Sequence, residues 1–125
     1  MSYEVGTSVS LRATHRMPVE GPEGELHAHD YRIDVVVSRD DVDARGMVVD
    51  LDELDLELAR LHDELEGRDL EAIRPEHAEA VTVEVFARWV HDRLARVIRH
   101  SGGGELSVRV YESPVAFGGY RATVS

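Results

Sequence analysis

The stretch that most restricts the fold is residues 26–37, LHAHDYRIDVVV. From His27 its odd positions are His27, His29, Tyr31, Ile33, Val35 and Val37, while its even positions include Asp30, Arg32 and Asp34. Successive side chains of a strand point to opposite faces, so a period of two predicts a β-strand reaching about Ser38, with one apolar face. That face needs a cover, and the polar face tolerates water, as in an antiparallel sheet with helices on one side. The same alternation turns both histidines toward the apolar side.

The other elements follow from similar patterns. Residues 5–14, VGTSVSLRAT, alternate partially and predict a first strand; 16–25, RMPVEGPEGE, carry two Pro and two Gly and predict a long loop. GMVVDL predicts a short extended piece before a helix that starts near Asp50. Leu51, Leu54, Leu58, Leu61 and Leu65 recur at three and four, with Asp50 or Asp52 placed to cap the start. After a connector, EGRDLEAIRPEHAEA, a second helix presents Val85, Phe86, Trp89, Val90, Leu94, Val97 and Ile98 on one face. Thr82 is its expected N-cap, Glu84 a capping-box partner, and the glycines of HSGGGE its stop. Trp89 is expected in the core, His91 and His100 on the helix's exposed face or end, and His77 in the connector. Two final strands fit ELSVRVYES and GGYRATVS. The order ββααββ predicts a single α+β domain over residues 1–125, with a four-stranded antiparallel sheet and two helices on one face.

Composition narrows the chemistry. The formal charge is −11, which argues against a nucleic-acid binder that works by neutralising phosphates. No apolar run approaches the ~20 residues needed to span a bilayer, and no signal-peptide pattern opens the chain; a cytoplasmic protein is the expectation. There is no cysteine, hence no thiolate ligand or nucleophile, and all fourteen basic residues are Arg, which removes lysine Schiff-base chemistry.

Residues i and i+2 on one strand face lie about 6.5–7 Å apart, close enough for two imidazoles to converge on one ion. His15 ends the first strand, and a strand returning antiparallel after the loop brings His27 and His29 beside it. Three neutral imidazoles with an open fourth position suit catalytic zinc better than structural zinc. The spacing alone fits equally well a pair of ordinary, partly exposed histidines at a strand end.

Five blocks then carry a resemblance over nearly the whole chain. RATHRMP followed by LHAHDYRIDVVV, then GMVVDL, VTVEVFARWVHDRL and VRVYESP stand in the order of the 6-pyruvoyl-tetrahydropterin synthase and 6-carboxy-tetrahydropterin synthase family, which the chain resembles. The second block is similar to that family's His-Gly-His-Asn-Tyr strand, with Ala28 and Asp30 substituted. The resemblance implies the tunnelling fold, in which sheets of three subunits close into a barrel and two trimers stack into a homohexamer. It implies Zn²⁺ on His15, His27 and His29, a site between subunits, and a pterin-like small molecule as ligand, anchored by Glu112 with Thr82 against the ring. No nucleic acid or membrane partner is expected.

Departures from the family pattern fall on the catalytic groups. Glu23 stands where the family's usual cysteine base belongs, four residues before His27. Glu66 and Gly67 stand where an Asp-His pair is usual, and glycine offers no proton acceptor; Val83 stands where some members carry a second threonine. A subgroup with glutamate in place of the cysteine is associated with forming 6-hydroxymethyl-dihydropterin, so Glu23 is a candidate catalytic base; the acidic loop that also holds Glu20 and Glu25 is the plain alternative. His62 and Asp63 are a weaker substitute for the missing pair. Two functions therefore stand side by side. One is a pterin-like binder that does not carry out the standard synthase reaction. The other is a zinc-dependent pterin lyase acting on dihydroneopterin triphosphate with Glu23 as base. A purely structural barrel is disfavoured by the intact His15, His27, His29 and Glu112.

Overall fold

The computed structural model describes all residues from Met1 to Ser125. Four strands, β1 (Tyr3–His15), β2 (His27–Arg39), β3 (Gly104–Tyr111) and β4 (Phe117–Val124), form one sheet in the order β1-β2-β3-β4 with every pair antiparallel. Two helices, α1 (Leu51–Leu65) and α2 (Val83–His100), lie between β2 and β3 in the chain. Both pack on one face, α1 against β1 and α2 against β3 and β4. The α+β class and the ββααββ order are as the sequence predicts.

Alternation sets the core. Leu11, Ala13, Tyr31, Ile33, Val35, Val37, Leu106, Val108 and Val110 are buried under the helices and join Leu54, Leu58, Leu61, Phe86, Val90, Leu94 and Ile98 in one apolar cluster. Burying a side chain of this size contributes about 1.5–3 kcal/mol, and this term opposes the entropy of ordering the chain. The other face carries Ser10, Arg12, Asp30, Arg32, Asp34 and Arg109, paired in part as Arg12–Asp30 (2.9 Å) and Arg32–Asp34 (3.2 Å).

Asp50 caps α1, its carboxylate accepting from the Asp52 and Glu53 N–H groups at 3.0 and 3.3 Å. α2 ends at Ser101, ahead of Gly102, Gly103 and Gly104, whose φ angles of 102°, 91° and 154° lie in the region that favours glycine. Both outer strands of the sheet are edges. On β1, residues 66–69 cover the end nearest the first loop: Gly67 N–H donates to Arg12 O (2.7 Å) and Thr14 N–H to Arg68 O (2.9 Å).

Four local expectations need correction. The piece before α1 is no strand: Asp43 organises it as a turn, accepting from Arg45 and Met47 N–H at 2.8 and 2.9 Å, although Val48 and Val49 are buried. The connector after α1 contains a short 3₁₀ turn, Leu70–Ile73, that buries Leu70. Glu84 is no capping-box partner: it sits at the second helical position, and the N–H that Thr82 caps is that of Val85 (3.1 Å). His91 is buried, not exposed, because β4 packs against its side of α2. Its Nε2 lies 3.4 Å from Ala122 O and its ring meets Tyr120 edge-on.

Candidate metal centre

The register does what the histidine spacing requires. His15 pairs with His27 across β1 and β2, and Ala13 with His29, so the three imidazoles share the helix-side face at one end of the sheet. Their ring centroids lie 4.5 Å (His15–His27), 5.1 Å (His15–His29) and 4.9 Å (His27–His29) apart. The Nε2 atoms of all three are buried without a hydrogen-bond partner.

Two of the rings are oriented by main-chain carbonyls. His15 Nδ1 lies 3.1 Å from Val81 O, and His27 Nδ1 lies 2.8 Å from Glu25 O. A carbonyl only accepts, so each Nδ1 carries the proton and each Nε2 presents its lone pair inward. That is the tautomer and the arrangement that a metal-ligating histidine uses, with the other ring nitrogen tied to a carbonyl. Burial is the main cause holding the His29 imidazole below its ordinary value; His15 adds to this and Glu112 opposes it. Three buried ring nitrogens without a hydrogen-bond partner, on rings whose centroids lie within about 5 Å of one another, fit a zinc ion with nitrogen ligands.

Glu23 reaches the same place from the loop. One suitable ligand atom from each of His15, Glu23, His27 and His29 lies within 4.8 Å of all the others, and Glu23 Oε2 lies 3.3 Å from His27 Nε2. The loop holds this pose by backbone hydrogen bonds: Met17 N–H donates to Glu23 O (2.9 Å) and Gly24 N–H to Gly21 O (3.0 Å). The turn is tight enough that a Cβ on Gly24 would overlap Val19 O.

Glu112 continues the inward alternation Leu106, Val108, Val110 beyond the end of β3. β3 stops at Tyr111, opposite Arg32, whereas β2 runs back to His27, so the sheet has a notch there. Glu112 and His29 line one cleft of about 570 Å³ in this notch, together with Arg12, Arg32, Tyr111 and Ser113. The Glu112 charge is felt at His29 and at Tyr31. Thr82 is at the start of α2 and its hydroxyl oxygen caps that helix; it does not line this cleft.

Glu66 and Gly67 lie against the β1 edge instead of joining the histidines. Glu66 Oε2 accepts from Arg12 N–H (2.8 Å), and His62, 3.5 Å from Glu66 and 3.2 Å from Asp63, stays on the half-exposed end of α1. Tyr31 also belongs to this site, beyond the residues that the sequence pattern singles out. Its hydroxyl is buried and unpartnered, its ring meets His15 and His29 edge-on at 6.3 and 5.6 Å, and burial, Glu112 and Glu23 push the phenol above its ordinary value. Period two already explained Tyr31 as core, and no local signal marks a hydroxyl left without a partner.

A family model described as 6-pyruvoyl tetrahydropterin synthase matches residues 4–123. The chain belongs to that family. Solved structures of the family share its fold. The 6-pyruvoyl tetrahydropterin synthase of Caenorhabditis elegans superposes with a TM-score of 0.78 at 23% identity, covering 98% of this chain and 96% of that one. The Plasmodium falciparum enzyme gives 0.79 at 16% identity, covering 98% and 99%. The Plasmodium vivax enzyme, in a form whose catalytic glutamate is replaced by cysteine, gives 0.80 at 13% identity, covering 99% of each chain. No curated protein sequence matches the chain significantly. No helix is long and apolar enough to cross a membrane.

Proposed function

We propose that this member of the 6-pyruvoyl tetrahydropterin synthase family binds a pterin-like heterocycle beside a zinc site and does not run the standard synthase reaction. The observation that carries this reading is the convergence of three buried, unpartnered imidazole nitrogens, one of which belongs to His29, a residue that shares a cleft with Glu112. His15, His27 and His29 would hold the zinc. Bound there, zinc would polarise a hydroxyl on the ligand's side chain and ease removal of a proton from the neighbouring carbon. Glu112 accepts two parallel N–H bonds from the guanidine-like edge of the ring, each charge-assisted bond contributing about 1.5–3 kcal/mol. Thr82 still has its O–H to donate, because capping uses only its oxygen.

Two open strand edges, β1 over Tyr3–Ser10 and β4, favour assembly by pairing between chains into a homohexamer with the cleft completed at the subunit boundary. The cytoplasm is the proposed compartment. The standard reaction lacks its parts: Gly67 carries no imidazole, and the Glu66 carboxylate is occupied by the Arg12 N–H. A second reading is favoured by the position of Glu23 against His27 and by the catalytic glutamate of the Plasmodium vivax enzyme. In it the chain is a lyase on dihydroneopterin triphosphate with Glu23 taking the proton.

Three measurements separate these readings. Elemental analysis of untagged protein gives about one zinc per chain if the three ligands are engaged. Fluorescence titration with sepiapterin or neopterin gives binding that Glu112→Ala weakens at least tenfold; equal affinity rejects the anchor. Incubation with dihydroneopterin triphosphate gives no conversion under the first reading, and conversion abolished by Glu23→Ala under the second.

A further inference from the structure

We infer that Glu23 is a fourth, displaceable metal ligand that closes the coordination sphere when no substrate is present, an inference that rests on the zinc site proposed above. The argument begins with the tautomer of His27. Its Nδ1–H is committed to Glu25 O at 2.8 Å, so a neutral ring turns the Nε2 lone pair toward Glu23. Glu23 Oε2 stands 3.3 Å from that lone pair, and the contact forms no hydrogen bond. Two electron-rich atoms facing one another repel unless a cation lies between them.

The separation is the one a tetrahedral ion imposes. With bonds of about 2.0–2.1 Å, neighbouring ligand atoms on a tetrahedron are about 3.3–3.4 Å apart. The wider limit of 4.8 Å across His15, Glu23, His27 and His29 leaves room for all four to draw in on one ion. Nothing else in the chain competes for the role. Glu112 faces the site from across the notch, and Glu66 is held at the β1 edge.

The two kinds of ligand differ in how firmly they are held. His15 is buried and its ring is fixed to Val81 O, whereas the Glu23 side chain is 65% exposed on a loop. Three imidazoles, two of them held by main-chain carbonyls, keep the ion while the carboxylate can swing away and open one position to an incoming hydroxyl. Four protein ligands make a closed site of the structural type; three with an open position make a reactive one. Glu23 thus sets which of the two the protein presents.

The test uses the full-length protein, stripped with chelator and reloaded with Co²⁺ or Zn²⁺, as wild type, Glu23→Ala, Glu23→Gln and His29→Leu. The Co²⁺ visible spectrum reports the ligand set directly, and chelator competition reports zinc affinity. Wild type should show intense four-coordinate cobalt bands that shift or weaken in both Glu23 variants. Zinc affinity should fall about tenfold or more in those variants, at least as much as when only an outer partner of a ligand is lost. Identical spectra and affinities in wild type and the Glu23 variants would overturn the inference and leave the three-histidine site standing. If wild type takes up metal no better than His29→Leu, the zinc reading itself fails.

Discussion

The Nε2 of His29 is buried with no partner, a state that costs about 1–3 kcal/mol in an empty site and is relieved by a metal. Replacing His29 with leucine removes the orphaned acceptor and keeps the volume of the position similar. The metal-free variant should therefore be at least as stable as metal-free wild type, while losing metal binding. The size of the metal effect can be worked out. A ligand at one hundred times its Kd stabilises the folded state by about 2.7 kcal/mol. Unfolding entropy near 2.1 cal/mol/K per residue, over 125 residues, is about 0.26 kcal/mol/K, so the midpoint should rise by about 10 °C. Differential scanning calorimetry of chelator-stripped protein, with and without Zn²⁺ at fixed protein concentration, measures this. Wild type should shift by that amount and His29→Leu by almost none. A wild-type midpoint indifferent to zinc, or a His29→Leu shift as large as wild type's, would refute the reasoning.

Other outcomes follow from separate parts of the molecule. Thr82→Ala removes the cap on α2 and should cost about 1 kcal/mol in denaturant unfolding; a pterin affinity unchanged in this variant would remove Thr82 from the ligand site. Glu57, with its side chain 6% exposed, accepts from Arg93 at 2.7 Å and Arg60 at 3.3 Å, so Glu57→Ala leaves guanidinium groups without their buried partner. It should lose about 2–3 kcal/mol, at the low end of a broken buried pair because Arg93 keeps Glu64 at 2.7 Å; a loss under 1 kcal/mol refutes the point. The Arg93 hydrogen bond holds the Glu57 carboxyl below its usual range of about 4.5. Its stabilising contribution is therefore full above that value and disappears as pH falls through the depressed one. An acid titration of stability should show wild type converging toward Glu57→Ala at low pH.

Much of the fold was open to sequence reasoning because its signals are periodic and local. The alternation from His27 to Val37 fixed which side of β2 is buried, since a slip of one residue would expose Ile33, Val35 and Val37 together. The spacing of Leu54, Leu58, Leu61 and Leu65 did the same for α1. His91 shows the limit. The apolar stripe of α2 is complete without it, and only the packing of β4, through Tyr120 and Ala122, buries that flank of the helix.

By itself the sequence determined the two periodicities, the order of elements and the placing of His27 and His29 on one strand face, because these depend on neighbours a few residues apart. Only the tertiary structure decided how those histidines are used. The β1–β2 register sets His15 against His27, and Val81 O and Glu25 O choose their tautomers. The hydrogen bonds of the 16–25 loop bring the Glu23 carboxylate to the His27 lone pair. Each of these contacts joins atoms that the local pattern does not relate. Their free energy comes from burial and from hydrogen bonds between segments, and it exists only once the chain has closed.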